Sequence, residues 1–365
     1  MMYATPSLYL KEMDIRNLRC HKQLAWSCAP GVNLIYGNNG CGKSTLLEAI
    51  YMMVFGRSFR QAQLPEIVKW QTKEFHIQAN WQRYGPVHIH MHGKGKKTYT
   101  SMQGKRLRNK EGVRNSLDVI LDAAQGRQVI LANPSERRKW LDQSILRCRE
   151  SMLLHYKSYY RALLQRNRLQ RRHNSSDDMQ AWHSQMILHG QKIIHIRRQF
   201  IKDMNAGLDA EQDFLNHSLQ LSLPETACDE EQWLQRLDQH QRTSGPIRFG
   251  PHCDKLKILF DGQEIRRTAS SGQQKLASIA IRLVQQQLHG QHRGIHPVLI
   301  LDDGLESLDQ KRQQHLLERL VQNNTQIFIS APTKKAMHGI ATYELSNGEF
   351  ICQHAPKSGT VEVAA

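Results

Sequence analysis

Residues 37–45, Gly-Asn-Asn-Gly-Cys-Gly-Lys-Ser-Thr, constrain this chain more than any other stretch. The apolar run Val32-Asn33-Leu34-Ile35-Tyr36 precedes them and Leu46-Leu47-Glu48-Ala49-Ile50-Tyr51 follows, so the expected order is strand, glycine-rich turn, helix. Gly37, Gly42, Lys43 and Ser44 fill every fixed position of G-x-x-x-x-G-K-[ST], which an incidental glycine turn before a lysine would not do. Gly37, Gly40 and Gly42 lack a Cβ, so the backbone can take positive φ and aim several N–H groups at phosphate oxygens beside the positive end of a helix dipole. Asn38, Asn39, Cys41 and Thr45 complete the candidate cradle. Lys43 is expected to reach the β- and γ-phosphates of ATP, and the Ser44 hydroxyl to ligate Mg²⁺.

Charge narrows the class of nucleotide protein. Among 365 residues, 50 Lys and Arg against 33 Asp and Glu give a net charge of +17, a surplus that attracts a polyanion, either nucleic acid or an anionic membrane surface. The seven cysteines form no C-x-x-C pair, so neither a zinc site nor a disulfide framework is expected. The 19 histidines show no metal spacing with a carboxylate and are read as surface or packing residues. No apolar run approaches the length of a membrane span, and Lys11-Glu12 interrupt the N-terminal stretch, so a reduced, cytoplasmic setting and no membrane partner are expected.

Along the chain, Leu8 to Met13 and Gln23 to Ser27 read as strands flanking a turn at Arg19-Cys20-His21. Alternation at Phe75 to Trp81 and Val87 to His92 predicts two more, joined at Tyr84-Gly85-Pro86. Two basic clusters, Gly93 to Lys97 and Lys105 to Lys110, are placed at hairpin tips, either as solvated loops or as contacts to a phosphate backbone. The pattern then turns helical. Ser151 to Arg172 is expected to bury Leu153, Tyr156, Tyr160, Leu163, Leu164 and Asn167 on one face, with Arg161, Arg166, Arg168, Arg171 and Arg172 adding solvated or DNA-facing charge. A polar turn at 173–178 leads to a second helix, whose stripe Met179, Trp182, Met186, Ile193, Ile196 and Phe200 reads as packing between helices.

Beyond Gly245-Pro246 and Gly250-Pro251, β-like patterning returns at Lys257 to Phe260. Ser270-Ser271-Gly272-Gln273 opens a long helical pattern and so stands at a helix N-terminus, a second anion site. Pro297 to Leu301 is a buried strand ending in Asp302-Asp303, the place of a Walker B carboxylate that coordinates Mg²⁺. Leu305 to Asp309 follows, and Gln326 to Ser330 is a further strand with a polar residue at its carboxyl end.

This order of motifs resembles the ABC-type ATPase head, including the heads of SMC-like DNA-repair proteins. The resemblance implies an ATP-dependent homodimer in which Ser270, Ser271, Gly272 and Gln273 of one subunit close on the nucleotide held by Lys43 of the other, with Asp309 crossing the interface. Asp302 would hold Mg²⁺, and Asp303 would orient the attacking water where many such heads use glutamate. Its shorter reach implies slow turnover. The phosphate loop, Gly56-Arg57-Ser58-Phe59-Arg60, Asn133-Pro134 with Arg137 to Asp142, Tyr159-Tyr160 to Arg168, and Gly250-Pro251-His252-Cys253-Asp254 together resemble the RecF family over about Leu8 to Phe350. Membership would imply binding to single-stranded, duplex and gapped DNA, weak DNA-stimulated ATPase activity, and work with RecR and RecO to load RecA in recombinational gap repair and replication restart. Arg60, Lys96, Lys97, Arg106 and Arg108 are the candidate DNA contacts. The sequence departs from the family pattern at Leu121 to Gly126, where a glutamine-bearing loop is sought, at Cys253 and at Gly304.

The expected fold is α/β: an ABC-type P-loop ATPase head, discontinuous in sequence, with an inserted lobe built on an antiparallel helical hairpin. Residues 1–129 and 244–355 would form the head, 130–243 the insertion and 356–365 a tail. Three other classes compete with this reading. The ATPase subunit of another ABC-type assembly such as a transporter shares the motifs, but the long insertion and dispersed positive charge count against it. A nuclease-coupled ATPase would need an acidic catalytic domain, for which the 15 residues after Phe350 leave no room. A non-hydrolysing ATP-dependent scaffold is compatible with the same residues.

Overall fold

The computed structural model describes residues 8–108, 111–123, 129–171, 176–223, 230–242, 247–335 and 337–354. They divide into two compact units, one made of residues 1–128 with 270–365, the other of residues 129–269. The first unit begins with a hairpin, β1 (Tyr9–Leu18) and β2 (His21–Ser27), then β3 (Val32–Tyr36) and α1 (Lys43–Phe55). The short α2 (Leu64–Ile67) leads to β4 (Glu74–Gln82), β5 (Pro86–Lys94), β6 (Lys97–Met102) and β7 (Lys105–Leu107), and the short α3 (Glu111–Ser116) leads to β8 (Val119–Ala123). One six-stranded antiparallel sheet runs β2-β1-β4-β5-β6-β7. Period-two alternation on β4 sends Phe75, Ile77, Ala79 and Trp81 into the core. The first basic cluster does sit at a hairpin tip, between β5 and β6. The second does not: Lys105 to Leu107 is the edge strand β7, because Gln103-Gly104, both at positive φ, already make the turn. Lys110 lies outside the described residues.

The second unit holds α4 (Pro134–Cys148), α5 (Met152–Arg171), α6 (Ser176–Asp209), the short α7 (Gln212–Leu215), β9 (Leu219–Ser222), α8 (Glu230–Arg242), β10 (Lys257–Phe260), β11 (Gln263–Glu264) and α9 (Ile265–Thr268). Asn133 caps α4, accepting from the Glu136 N–H while Glu136 accepts from the Asn133 N–H, with Pro134 in the first turn. His155, near the start of α5, meets His189 of α6 at 2.9 Å, so the two helices run antiparallel as expected. Ser176–Asp178, expected in a turn, open α6 instead, and residues 172–175 lie outside the described residues.

The second unit extends to residue 269 rather than 243, because β10 pairs antiparallel with β9 and with β11, which ties 257–264 to 219–222. The buried face of α5 is Tyr156, Tyr159, Ala162 and Arg166, whereas Leu153, Tyr160 and Leu164 are exposed. The rotation follows from Tyr159, whose hydroxyl lies 2.7 Å from His252 Nδ1 and whose ring packs edge-on to the buried Trp233. Arg166 is therefore not solvated; its guanidinium bonds to Asn167 and Gln170 on its own helix. The Met and Trp stripe of α6 does pack inward, with Met186, Ile187, Ile193 and Ile194 in one cluster with Tyr156, Trp233 and Phe249, and Trp182 against it.

Arg197 of α6 is fully buried in this unit. It donates to both carboxylate oxygens of Asp142 at 2.8 Å, to Asp254 Oδ2 at 2.8 Å and to the Pro251 carbonyl at 2.6 Å. Burial alone would lower its pKa, but the carboxylates raise it, so the cation is held charged. Two of the stretches that carry the family resemblance, ending in Asp142 and in Asp254, therefore serve a buried ion cluster. Arg197→Met removes the buried cation that both carboxylates share and is expected to cost about 3–5 kcal/mol of stability, measured by urea unfolding monitored in the far-ultraviolet.

The chain then returns to the first unit with α10 (Ser271–Arg293), β12 (Val298–Asp302), α11 (Gln310–Val321), β13 (Ile327–Ala331), β14 (Ile340–Ser346) and β15 (Glu349–His354). The second six-stranded sheet runs β15-β14-β3-β13-β12-β8, parallel from β14 through β8, with β15 as an antiparallel edge. β3, β12 and β13 are buried along their whole length, which is why they read as continuous apolar runs. Trp26 joins the two sheets, lying 5.1 Å from Phe328 and 5.4 Å from Tyr343 between ring centroids.

Candidate nucleotide site

Glycines shape the loop after β3. Gly37, Gly40 and Gly42 all have positive φ, and Gly42 caps α1 in the left-handed region. A Cβ on Gly37 would stand 2.1 Å from the Leu345 carbonyl oxygen, and one on Gly42 2.6 Å from both Cys20 Sγ and His21 Nε2. No other residue type fits either position. Lys43 Nζ donates to the Gly37 and Asn38 carbonyls at 2.7 and 2.9 Å, which holds its charge over the loop.

A cavity of about 480 Å³ opens here, lined by Asn39, Gly40, Gly42, Lys43, Ser44 and Thr45, with Arg19, Cys20, Arg60, Asp303, Glu306 and Pro332. Asp302 ends β12 buried, and Ser330 at the end of β13 donates to its Oδ1 at 2.9 Å. Burial pushes the Asp302 carboxyl above its ordinary value, against opposing hydrogen bonds from Ser44 and Ser330. That pair of oxygens, a hydroxyl and a carboxylate at the mouth of a phosphate loop, fits Mg²⁺. Asp303 takes φ +53°, and its N–H donates to Ser330 Oγ at 2.7 Å. Gly304 follows because a Cβ there would lie 2.9 Å from both Ile329 and Leu301.

Arg60 lines this cavity, so the structure brings it to the nucleotide side rather than to the other DNA candidates. The Gly56 to Arg60 stretch explains how. Gly56 ends α1 at φ +71°, Ser58 Oγ donates to the buried Glu48 and accepts from the Arg60 N–H, and Arg19 forks onto Glu48 at 2.7 and 3.0 Å. Sequence reasoning placed Arg19 and Cys20 in a turn and gave Glu306 no role; only β1, β2 and α1 packing in one core reveals them as lining residues. Lys96, Lys97, Arg106 and Arg108 are exposed and do not line this cavity.

Ser270 caps α10 reciprocally with Gln273, and Ser271 begins the helix. A Cβ on Gly272 would come 3.0 Å from the Ser307 carbonyl, so the close approach of the next loop requires glycine. The signature residues are not among those that line the Lys43 cavity. Asp309 caps α11, accepting from the Arg312 N–H at 2.8 Å. The helix α10 is fixed to β8 through Asp122, fully buried, which accepts from Ser278 at 2.6 Å and lies 3.6 Å from Lys275 and 3.7 Å from Arg282. Residues 124–126 of the sought glutamine loop lie outside the described residues.

Next to the loop, both ring nitrogens of His21 face carbonyls, Gly348 at 2.6 Å and Gly42 at 3.2 Å, an arrangement that favours the doubly protonated ring, which can donate to both. Burial opposes this, yet Cys20 and the Gly348 carbonyl raise its pKa. Burial likewise opposes a Cys20 thiolate, and the hydrogen bond and charge of His21 outweigh it and bring the thiol down. Thiolate is the reactive form, so Cys20 should alkylate with iodoacetamide at a pH below that of an ordinary thiol and slow as pH falls. Saturating ATP should protect it, while the half-buried Cys28, whose thiol burial pushes up, should react far more slowly; peptide mass mapping reads both.

A phosphate loop after β3 and a Walker B aspartate at the end of β12, on either side of β13 in one parallel sheet, with a signature turn that opens a separate helix, define an ABC-type P-loop ATPase head. The family model described as RecF/RecN/SMC N terminal domain matches residues 9–346. The DNA replication and repair protein RecF of Thermoanaerobacter sp. (strain X514) is 28% identical over 94% of this chain and 99% of that protein. That of Moorella thermoacetica is 30% identical over 86% and 88%. The solved structure of the recombination mediator protein RecF with ATP in the RecFOR pathway aligns with TM-score 0.77 at 25% identity, covering 97% of this chain and all of that one. The chain belongs to the RecF/RecN/SMC family and, through these relatives, to its RecF branch.

Proposed function

We propose that this chain is an ATP-driven, DNA-binding switch of cytoplasmic DNA replication and repair, whose heads pair around ATP and part after slow hydrolysis. One observation carries the reading: the signature turn presents the N-terminus of α10 and a close-packed Gly272, yet it does not line the cavity that holds Lys43. Two such surfaces complete each other only across two copies of the chain. Nucleotide binding and association are then one equilibrium.

In this arrangement Gly37 to Thr45 cradle the phosphates, and Ser44 with Asp302 hold Mg²⁺. The bound ion would neutralise charge on the phosphate oxygens. Asp303 orients the attacking water, fixed by Ser330, and its short side chain limits the rate. Ser270, Ser271, Gly272, Gln273 and Asp309 act on the partner's nucleotide. Arg60 reports on the nucleotide from inside the cavity. Lys96 and Lys97 at a hairpin tip, with Arg106 and Arg108, contact DNA backbone phosphates without reading bases. The names of the relatives, a DNA replication and repair protein and a mediator of the RecFOR pathway, support DNA as the substrate and RecR and RecO as functional partners. In this reading the DNA is single-stranded or gapped duplex, and the protein loaded there is RecA.

Light scattering with ATP and a gapped duplex should give a dimer that is absent without ATP. Lys43→Met should lose it by losing nucleotide, and Ser270→Arg by blocking the interface while still binding ATP. A wild-type monomer that hydrolyses ATP irrespective of DNA would refute the proposal. DNA affinity should fall linearly on logarithmic axes with salt, and Lys96→Glu with Lys97→Glu should reduce the slope by about 1.8 on duplex DNA, or about 0.9 for each phosphate no longer neutralised.

A further inference from the structure

The histidines, expected from sequence spacing to be surface or packing residues, include two that the first sheet sets beside a carboxylate. With the core side chains of β4 turned inward, Glu74 and His76 face the other way. The β4–β5 register sets His92 directly opposite His76, and their rings stack with centroids 4.5 Å apart and planes within 5°. His92 Nε2 lies 3.3 Å from Glu74 Oε2, and His76 Nε2 lies 3.7 Å from Glu74 Oε1. One ligand atom from each of the three residues falls within 4.8 Å of the others.

We propose that Glu74, His76 and His92 bind a divalent transition-metal ion, Zn²⁺ in the first instance, with water completing the coordination. Donors about 2.0–2.1 Å from a tetrahedral ion sit roughly 3.3–3.4 Å apart, close to the 3.3 and 3.7 Å spacings to Glu74, and the stacked His76 and His92 rings must turn out of parallel to aim both Nε2 lone pairs at one ion. Two imidazoles with one carboxylate suit Zn²⁺, Ni²⁺, Co²⁺ or Cu²⁺, and not Mg²⁺, which takes oxygen ligands. A metal on His76 Nε2 requires the proton on Nδ1, and that nitrogen lies 3.2 Å from His90 Nε2, which accepts it. His90 thus supports the ligand's tautomer and ring orientation, as outer partners do in zinc sites.

Lys94 Nζ, 3.4 Å from Glu74 Oε2, is the competing cation, but its side chain is 64% exposed and its pairing weak. All three ligands are partly open to solvent, so an ion can enter and keep a water-filled position. His92 also stacks on Tyr99, whose ring carries Arg106 at 4.4 Å. A bound ion would cross-link β4 to β5 and add positive charge near that arginine.

The test uses full-length protein, freed of metal with a chelator and assayed without nucleotide. One equivalent of Zn²⁺ should bind by isothermal titration, raise the unfolding temperature, and protect His76 and His92 from diethylpyrocarbonate. Co²⁺ should give the visible absorption of a low-symmetry site. His76→Ala and His92→Ala should abolish stoichiometric binding, Glu74→Gln should weaken it, and His90→Ala should weaken it roughly 10–100-fold as a supporting partner. His88→Ala, on the same strand but paired with Asn80, should leave it unchanged. Absence of stoichiometric Zn²⁺ binding by the wild type overturns the proposal. So does binding that survives the double His76→Ala, His92→Ala substitution in protein that still binds ATP, and so does wild-type protein in which Zn²⁺ leaves His76 and His92 reactive.

Discussion

Parallel pairing of β3, β13 and β12 is the constraint on which the nucleotide site depends. Three adjacent strands, drawn from residues 32–36, 327–331 and 298–302, end on the same side of one sheet. There the glycine loop, Ser330 and Asp302 converge. Ser330 is the joint, since its hydroxyl serves the Asp302 carboxylate and accepts the Asp303 N–H. A register slip of one residue would turn each of these side chains to the opposite face of the sheet. Burial of all three strands on both faces makes that slip expensive, so the apolar core sets the geometry of the polar site.

Buried charges fix what surrounds this joint. Glu48 takes Arg19 and Ser58 and thereby brings Arg60 to the cavity, while Asp122 gathers Lys275, Ser278 and Arg282 and seats the signature helix on β8. In the second unit Arg197 does the same with Asp142 and Asp254. Desolvation offsets much of the Coulombic gain in such clusters, so they add less to net stability than their geometry suggests. Their effect is on specificity: a buried charge tolerates only the arrangement that meets all its partners. α10 therefore reaches its N-terminus at a defined place relative to β12, which a composite site between two copies requires.

The loop is also coupled to the hairpin beside it. Gly42 allows Cys20 and His21 to press against the start of α1, and the His21 ring links the Gly42 carbonyl to Gly348 in the turn between β14 and β15. The phosphate loop is thus held from two sides, and preorganisation of this kind reduces the entropy lost on binding.

Local chemistry alone determined much of this molecule. The phosphate loop was legible because positive φ and a closely approaching backbone demand glycine at fixed spacing. The buried strands were legible from their unbroken apolar runs, and the α10 cap from serine with glutamine three residues on. A discontinuous head was legible because its motifs lie at both ends of the chain. Only the tertiary structure decided what depends on long-range register. It placed Arg60, Arg19, Cys20 and Glu306 at the cavity, turned Arg166 inward on a face of α5 set by Tyr159, and extended the second unit through 269 by strand pairing. It also set His92, on the neighbouring strand, beside Glu74 and His76, because a sheet brings together side chains that are neighbours only across strands.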